Sequence, residues 1–122
     1  MINKPTIYTS QIKDVTFGTN VKIVEPLNIY GCSIGNDTFI GPFVEIQKDV
    51  TIGKNCKIMA NCSISGRVTL MNNCFLGRGS SIKQGVKIGR NSILGMGSVI
   101  VSDIDKDIVA YGVPAKFKRS LL

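Results

Sequence analysis

The segment EIQKD, Glu45 to Asp49, brings two carboxylates, an amide and an ammonium within five residues. Groups of this kind move protons and hold anions. Glu45 can take up a proton. Lys48 has three readings. Burial lowers a lysine pKa and makes it a base. In water its compact charge can hold a phosphate, or simply be solvated. Asp49, beside it, favours the charged ammonium and opposes the first reading. No histidine occurs in the 122 residues. That excludes His-ligated zinc or iron sites, His-based triads and His proton relays.

The length is that of one domain. A composition of 43% hydrophobic and 19% charged residues is globular rather than disordered. No apolar run approaches the ~20 residues of a membrane span. The stretch MINKPTIYTSQIKD has no signal-peptide core, so a cytoplasmic protein is expected. The net charge is +7. It favours anionic partners such as nucleotides and coenzyme phosphates, or serves solubility. No long basic run and no aromatic cluster of a base-stacking platform occurs, so no nucleic-acid partner is expected.

These residues sit inside a repeat. An aliphatic side chain recurs every six residues from Ile34 through Ile40, Ile46, Ile52, Ile58 and Ile64 to Leu70, and on from Leu76 to Ile100. Phe17, Ile23 and Ile29 continue it upstream, with a one-residue deletion in NIYGCSIG. Four residues after each aliphatic comes a small or β-branched one, among them Val44, Cys56, Val68 and Ser80. Glycine often follows the aliphatic directly, supplying unusual backbone angles or room at a bend. A period of six fits neither a helix nor a long strand. It fits a coil with three flat sides and eighteen residues per turn. Stacked coils then pair as parallel strands about 4.8 Å apart. Cys56, Cys62 and Cys74 fall on the small inward position, and Cys32 on its extension. They are expected to be free and to pack as small hydrophobes.

On the hexads IGNDTF, IGPFVE, IGKNCK and IGRNSI, the chain resembles the left-handed parallel β-helix of the hexapeptide-repeat acyltransferases. The left hand comes from that resemblance, since ordinary crossovers are right-handed. The implied architecture is all-β. One domain spans 1–122, with about five coils over 17–105 and a capping tail over 106–122. LGMGSVIVSDI, residues 94–104, looks like the family's last coil, and GVPAK, residues 112–116, like its closing tail.

The resemblance implies acetyl-CoA as acyl donor, no metal, and a homotrimer with the coenzyme groove between neighbouring subunits. Gly77-Arg78-Gly79 and Gly95-Met96-Gly97 are eighteen apart and are expected to stack at one corner. Gly79, Gly95 and Gly97 are the cofactor-binding candidates there. Lys116 and Arg119 meet the coenzyme phosphates, or form a solvated basic tail.

Two subgroups are near. The half beginning ISGRVTLMNNCFLG is similar to sugar acetyltransferases of the bacillosamine and sialic-acid type. Their His-Asp or His-Glu pair falls on Lys48-Asp49, and their backbone donor to the thioester oxygen falls on Gly66. The half from VKIVEPLNIYG onward looks like N-acetyltransferases of dTDP-linked 3-amino sugars, whose histidines fall on Asn61 and Arg78. Lys48, Asp49, Asn61 and Gly66 are therefore the catalytic candidates. Glu45, Gln47 and Arg78 are the candidates for acceptor binding. Asp49 also precedes Arg67 by eighteen residues, a spacing that suggests an ion pair across coils.

What the resemblance implies is acetyl transfer to the amine of a nucleotide-linked amino sugar, in surface polysaccharide or glycan synthesis. An amine can attack first and shed its proton afterwards. General-base help is worth ~10²–10⁴-fold, and a hydroxyl suffers more from its absence. Sugar O-acetylation is a second reading. A catalytically silent trimer that binds or scaffolds is a third. The chain shows no counterpart of the N-terminal nucleotide-sugar domain of bacillosamine-type enzymes. Acceptor recognition is expected from the coils, the neighbouring subunits or a partner.

Overall fold

The computed structural model describes residues 2–122. Nearly every hexad has become a two-residue strand and a four-residue bend. The strands stack into three sheets, the faces of a left-handed parallel β-helix. The first sheet holds β1 (Ile12–Lys13), β4 (Asn28–Tyr30), β7 (Glu45–Ile46), β10 (Ser63–Ile64), β13 (Ser81–Ile82) and β16 (Val99–Ile100). The second holds β2 (Thr16–Phe17), β5 (Ser33–Ile34), β8 (Thr51–Ile52), β11 (Thr69–Leu70) and β14 (Lys87–Ile88). The third holds β3 (Lys22–Ile23), β6 (Phe39–Ile40), β9 (Lys57–Ile58), β12 (Phe75–Leu76), β15 (Ile93–Leu94), β17 (Ile108–Gly112) and β18 (Ala115–Ser120). All pairings are parallel except the closing β17–β18 hairpin.

The ladder is longer than the hexad pattern predicts. It begins at Ile12, which pairs with Ile29, and its last rung joins Leu94 to Ala110. The helix makes about six turns rather than five. Ile12 escapes the period because Phe17 follows it after five residues, not six. The same short step separates Ile29 from Ile34. Both lie on the edge between the first and second sheets.

The ladder's aliphatic side chains from Ile29 to Ile100 are essentially all buried, and they form one core column with the small inward residues. The four cysteines are free and buried. Their thiols are more than filler. Cys56 Sγ donates to the Met71 carbonyl at 3.1 Å, Cys62 to Gly77 at 3.2 Å and Cys74 to Gly89 at 3.1 Å.

Glycine right after the aliphatic supplies room. A Cβ on Gly35 would stand 2.6 Å from the Gly53 backbone, and one on Gly77 2.5 Å from Met96 N. The unusual angle comes two residues later. Asp37, Asn55, Asn73 and Asn91 take positive φ there, as do Gly79 and Gly97. Asn, Asp and Gly tolerate that left-handed region best.

Candidate functional site

The edge between the first and second sheets carries Lys13-Asp14, Tyr30-Gly31, Lys48-Asp49, Gly66-Arg67 and Gln84-Gly85, one bend above another. From the second bend on, the positive-φ residue donates its N–H to the coil before it. Gly31 donates to Lys13 O at 3.0 Å, Asp49 to Gly31 O at 2.8 Å, Arg67 to Lys48 O at 3.1 Å and Gly85 to Gly66 O at 3.0 Å. Asp49 (φ 64°) and Arg67 (φ 60°) thus stack, but the ion pair that their spacing suggests does not form among the described residues: backbone joins their coils, and both side chains are exposed.

In the three longer bends the residue before the positive-φ position, Lys48, Gly66 or Gln84, has its N–H left over by this ladder. At Gly66 that N–H points to a side chain. It donates to Gln47 Oε1 at 3.2 Å, and Gln47 Nε2 donates to Glu45 Oε1 at 3.3 Å. Glu45 fixes which end of the amide faces the glycine. The result is a backbone donor outside the sheet ladder, already holding an amide oxygen. A carbonyl of a ligand can take the same place. A cavity of about 290 Å³ opens over it, lined by Tyr30, Gln47, Lys48, Asp49, Gly66, Arg67 and Gln84.

Lys48 is exposed, as is Asp49, whereas Glu45, Gln47 and Gly66 are half-buried. The burial that a lysine base requires is missing in the single chain, so its exposure favours the anion-holding reading. The structure therefore brings Glu45, Gln47, Lys48, Asp49 and Gly66 together. Arg67 joins them through its register with Asp49, and Tyr30 and Gln84 join them unforeseen. The eighteen-residue register points to Gln84 from Gly66. Tyr30 is hidden by the short step after Ile29.

Asn61 and Arg78 lie elsewhere, on the edge between the third and first sheets, with the first sheet separating the two groups. Asn61 has φ 63°, and its N–H donates to Pro42 O at 3.0 Å. It holds a backbone position there, and its side chain is exposed. Above it, Gly79 donates to Ala60 O at 3.0 Å and Gly97 to Arg78 O at 2.8 Å. Gly79 and Gly97 stack as expected, and a Cβ on either would meet nothing within 4 Å. This corner is open to a ligand backbone. Gly95 differs. A Cβ there would stand 2.7 Å from Tyr111 Cβ, so its smallness lets the closing hairpin sit down. Its carbonyl accepts both Ser98 Oγ at 2.6 Å and Ser80 Oγ at 3.2 Å. Lys116 and Arg119 are exposed on β18, and between them Lys118 lies over the Tyr111 ring at 4.7 Å.

No cysteine is placed as a nucleophile. Burial pushes the Cys32 thiol up to about 11. Contact with Cys56, with burial adding to it, raises Cys74 well above the usual thiol range.

The pattern and geometry have known counterparts. Among solved structures, galactoside acetyltransferase in complex with coenzyme A superimposes with a TM-score of 0.84 at 28% identity, over 90% of this chain and 66% of that one. The hexapeptide-repeat acetyltransferase VCA0836 from Vibrio cholerae gives 0.83 at 24% identity, over 88% and 74%. The UDP-N-acetylglucosamine O-acyltransferase LpxA from Moraxella catarrhalis RH4 gives 0.86 at 24%, over 97% and 48%. These last two likenesses are of fold. In sequence, 49 residues are 41% identical to the bifunctional protein GlmU of Synechococcus sp. (strain CC9605). The match spans 40% of this chain and only 11% of GlmU. The family model for the bacterial transferase hexapeptide (six repeats) matches residues 31–66 and again 67–102. With two such blocks covering more than half of its length, the chain belongs to the bacterial transferase hexapeptide family.

Proposed function

We propose that the protein is an acyltransferase that moves an acetyl group from acetyl-CoA to the amine of a nucleotide-linked amino sugar. The observation that carries this reading is the Gly66 N–H, lying outside the sheet ladder and held by the Gln47 amide oxygen at 3.2 Å. A thioester carbonyl that displaced this oxygen would be polarised by the same donor, and a donor of this kind is worth more as charge develops on the oxygen. Glu45 and Gln47 would hydrogen-bond the acceptor amine, and Glu45 is the group nearest to hand for its proton. Lys48 would hold phosphate. The galactoside acetyltransferase likeness, in a structure that contains coenzyme A, supports the donor.

The coenzyme would lie along the open corner of Gly79 and Gly97, with Lys116 and Arg119 near its phosphates. In a homotrimer that edge of one subunit can face the Gly66 edge of a neighbour, which would reunite the two groups that a single chain keeps apart. Surface polysaccharide or glycan synthesis is the setting this acceptor suggests.

A thiol-release assay with acetyl-CoA and a panel of nucleotide amino sugars tests the reading. Turnover that requires the amine is expected. Faster turnover with hydroxyl acceptors would make the enzyme an O-acetyltransferase. Neither turnover nor coenzyme binding would leave a silent binding protein.

A further inference from the structure

A second cavity, of about 750 Å³, lies one step below the Gly66 site. It arises from the two short bends. The bends after Ile12 and Ile29 are one residue shorter than every later bend on that edge, and Lys48 is the extra residue where the longer bends begin. Lys48 therefore overhangs a recess. Gly31 forms its back wall, with φ 62° and no side chain. A Cβ there would stand 3.1 Å from Lys48 Cγ. The exposed segment of Tyr8 to Gln11 borders the other side, tied down where Gln11 O accepts the Ile29 N–H at 3.0 Å.

The chemistry of the lining is uneven. It offers two tyrosines, Tyr8 and Tyr30, two lysines, Lys13 and Lys48, and the polar side chains of Asp14 and Asn28. The volume is within the ~300–1,000 Å³ of small-molecule sites. Aromatic faces stack on flat rings, and ammonium groups hold phosphate as point charges. The one acid in the lining, Asp14, can accept from the hydroxyls of a ligand. Tyr30 and Lys48 line this recess and the smaller cavity over Gly66 alike, so the two are adjacent.

We infer that the recess binds a nucleoside diphosphate, with its base against Tyr8 and Tyr30 and its diphosphate between Lys13 and Lys48. This deepens the acyltransferase reading and rests on it in one respect: a sugar carried on the diphosphate would extend past Lys48 to the Gly66 corner. The nucleotide is held by the first three coils and the segment before them.

Calorimetric titration of the full chain, without acyl donor, against UDP, dTDP, CDP, GDP and ADP tests the assignment. At least one is expected to bind. Lys13→Met and Tyr30→Ala should each weaken it on the order of tenfold, and Lys57→Met, on the third sheet, should not. Lys13 is exposed, so its variant reads binding even if Tyr30→Ala unfolds. The proposal fails if no nucleotide binds at millimolar concentration, or if Lys13→Met is indifferent. It fails too if pyrophosphate binds as tightly as any nucleotide, because then no base is read. Competition by coenzyme A would assign the recess to the donor and overturn it as well. Binding needs no transfer. A bound nucleotide with no thiol release sinks the enzyme reading alone, and thiol release without nucleotide binding sinks the recess alone.

Discussion

From the third coil on, two edges of the same prism have the same bend and opposite side-chain habits. The edge between the second and third sheets is an asparagine ladder. Asn20 donates to Asp37 at 3.0 Å, Asn55 to Asn73 at 3.0 Å, Asn73 to Asn91 at 3.1 Å and Asn91 to Asp107 at 2.6 Å. In two of its bends the leftover N–H is closed within the ladder: Asn36 Oδ1 takes Thr19 N at 2.7 Å and Asn72 Oδ1 takes Lys54 N at 2.9 Å. The edge between the first and second sheets bends with the same positive φ at Asp49 and Arg67. Its residues follow no repeat, and the leftover Gly66 N–H is held by the removable side chain of Gln47. The first edge uses its polar groups on itself. The second keeps them for something else. Regularity marks the structural corner, and its loss marks the candidate site.

The largest way to break this contrast is Gly66→Pro. It deletes one N–H that no sheet bond uses. Loss of an oxyanion-type donor costs about 10²–10³ in kcat, whereas melting should move little. A steady-state assay beside a thermal melt reads both. If activity survives, the thioester is not held here. Asn73→Ala should do the reverse. It removes two links of the ladder and puts alanine at φ 60°. About 1–2 kcal/mol of stability should go, seen as a melting temperature lower by several degrees, with kcat unchanged. Asn73→Gly should recover part of it, since glycine accepts that φ freely.

The difference between the edges also explains what the sequence disclosed. The coil was legible because each turn buries the same kind of side chain at the same place, and burial tolerates few exceptions. Ile34 to Ile100 repeat for that reason. Ile12 was not legible, because a five-residue side breaks the count. That same break makes the recess under Lys48, so the period that reveals the fold conceals the cavity. Lys48, Gly66 and Gln47 were placed correctly on one corner by the register alone. That Gln47 rather than water holds Gly66 depends on rotamers, and no spacing encodes them. No spacing announces the neighbour of Gly95: Tyr111, from the closing hairpin, stands where a side chain at Gly95 would be.

Gln47→Ala sharpens the contrast more gently. It empties the place at the Gly66 N–H without touching the backbone. An incoming carbonyl no longer has to displace an amide oxygen. One neutral hydrogen bond is worth about 1 kcal/mol net, so KM for the acyl donor should fall by roughly fivefold with kcat held. A rise in KM for the acceptor beside it would report the lost contact between Gln47 and the amine, whereas a donor KM that does not fall would mean that the thioester does not displace Gln47. Initial rates with each substrate varied in turn separate the two.

The smallest effect is expected inside the prism. Beneath the asparagine edge, inward residues donate to a carbonyl fifteen positions on: Thr38 Oγ1 reaches Gly53 O at 3.0 Å, and Cys56 and Cys74 do likewise. Beneath the candidate edge the same places hold Val50, Val68 and Val86, which are buried and donate nothing. A threonine for a buried valine ordinarily strands a hydroxyl and costs about 1–3 kcal/mol. At residue 68 the carbonyl fifteen positions on is that of Lys83, which accepts one N–H, from Val86 at 3.3 Å. Gly77 O is in the same position: it accepts Ser80 N at 3.2 Å and still receives the Cys62 thiol. Val68→Thr should therefore cost under about 0.5 kcal/mol, whereas Val68→Ala, which removes two buried carbons, should cost about 1.5–2 kcal/mol. Urea unfolding of the pair decides it. Equal losses would mean that the carbonyl at 83 is not free to accept, and the two edges would then differ in their backbone as well as in their side chains.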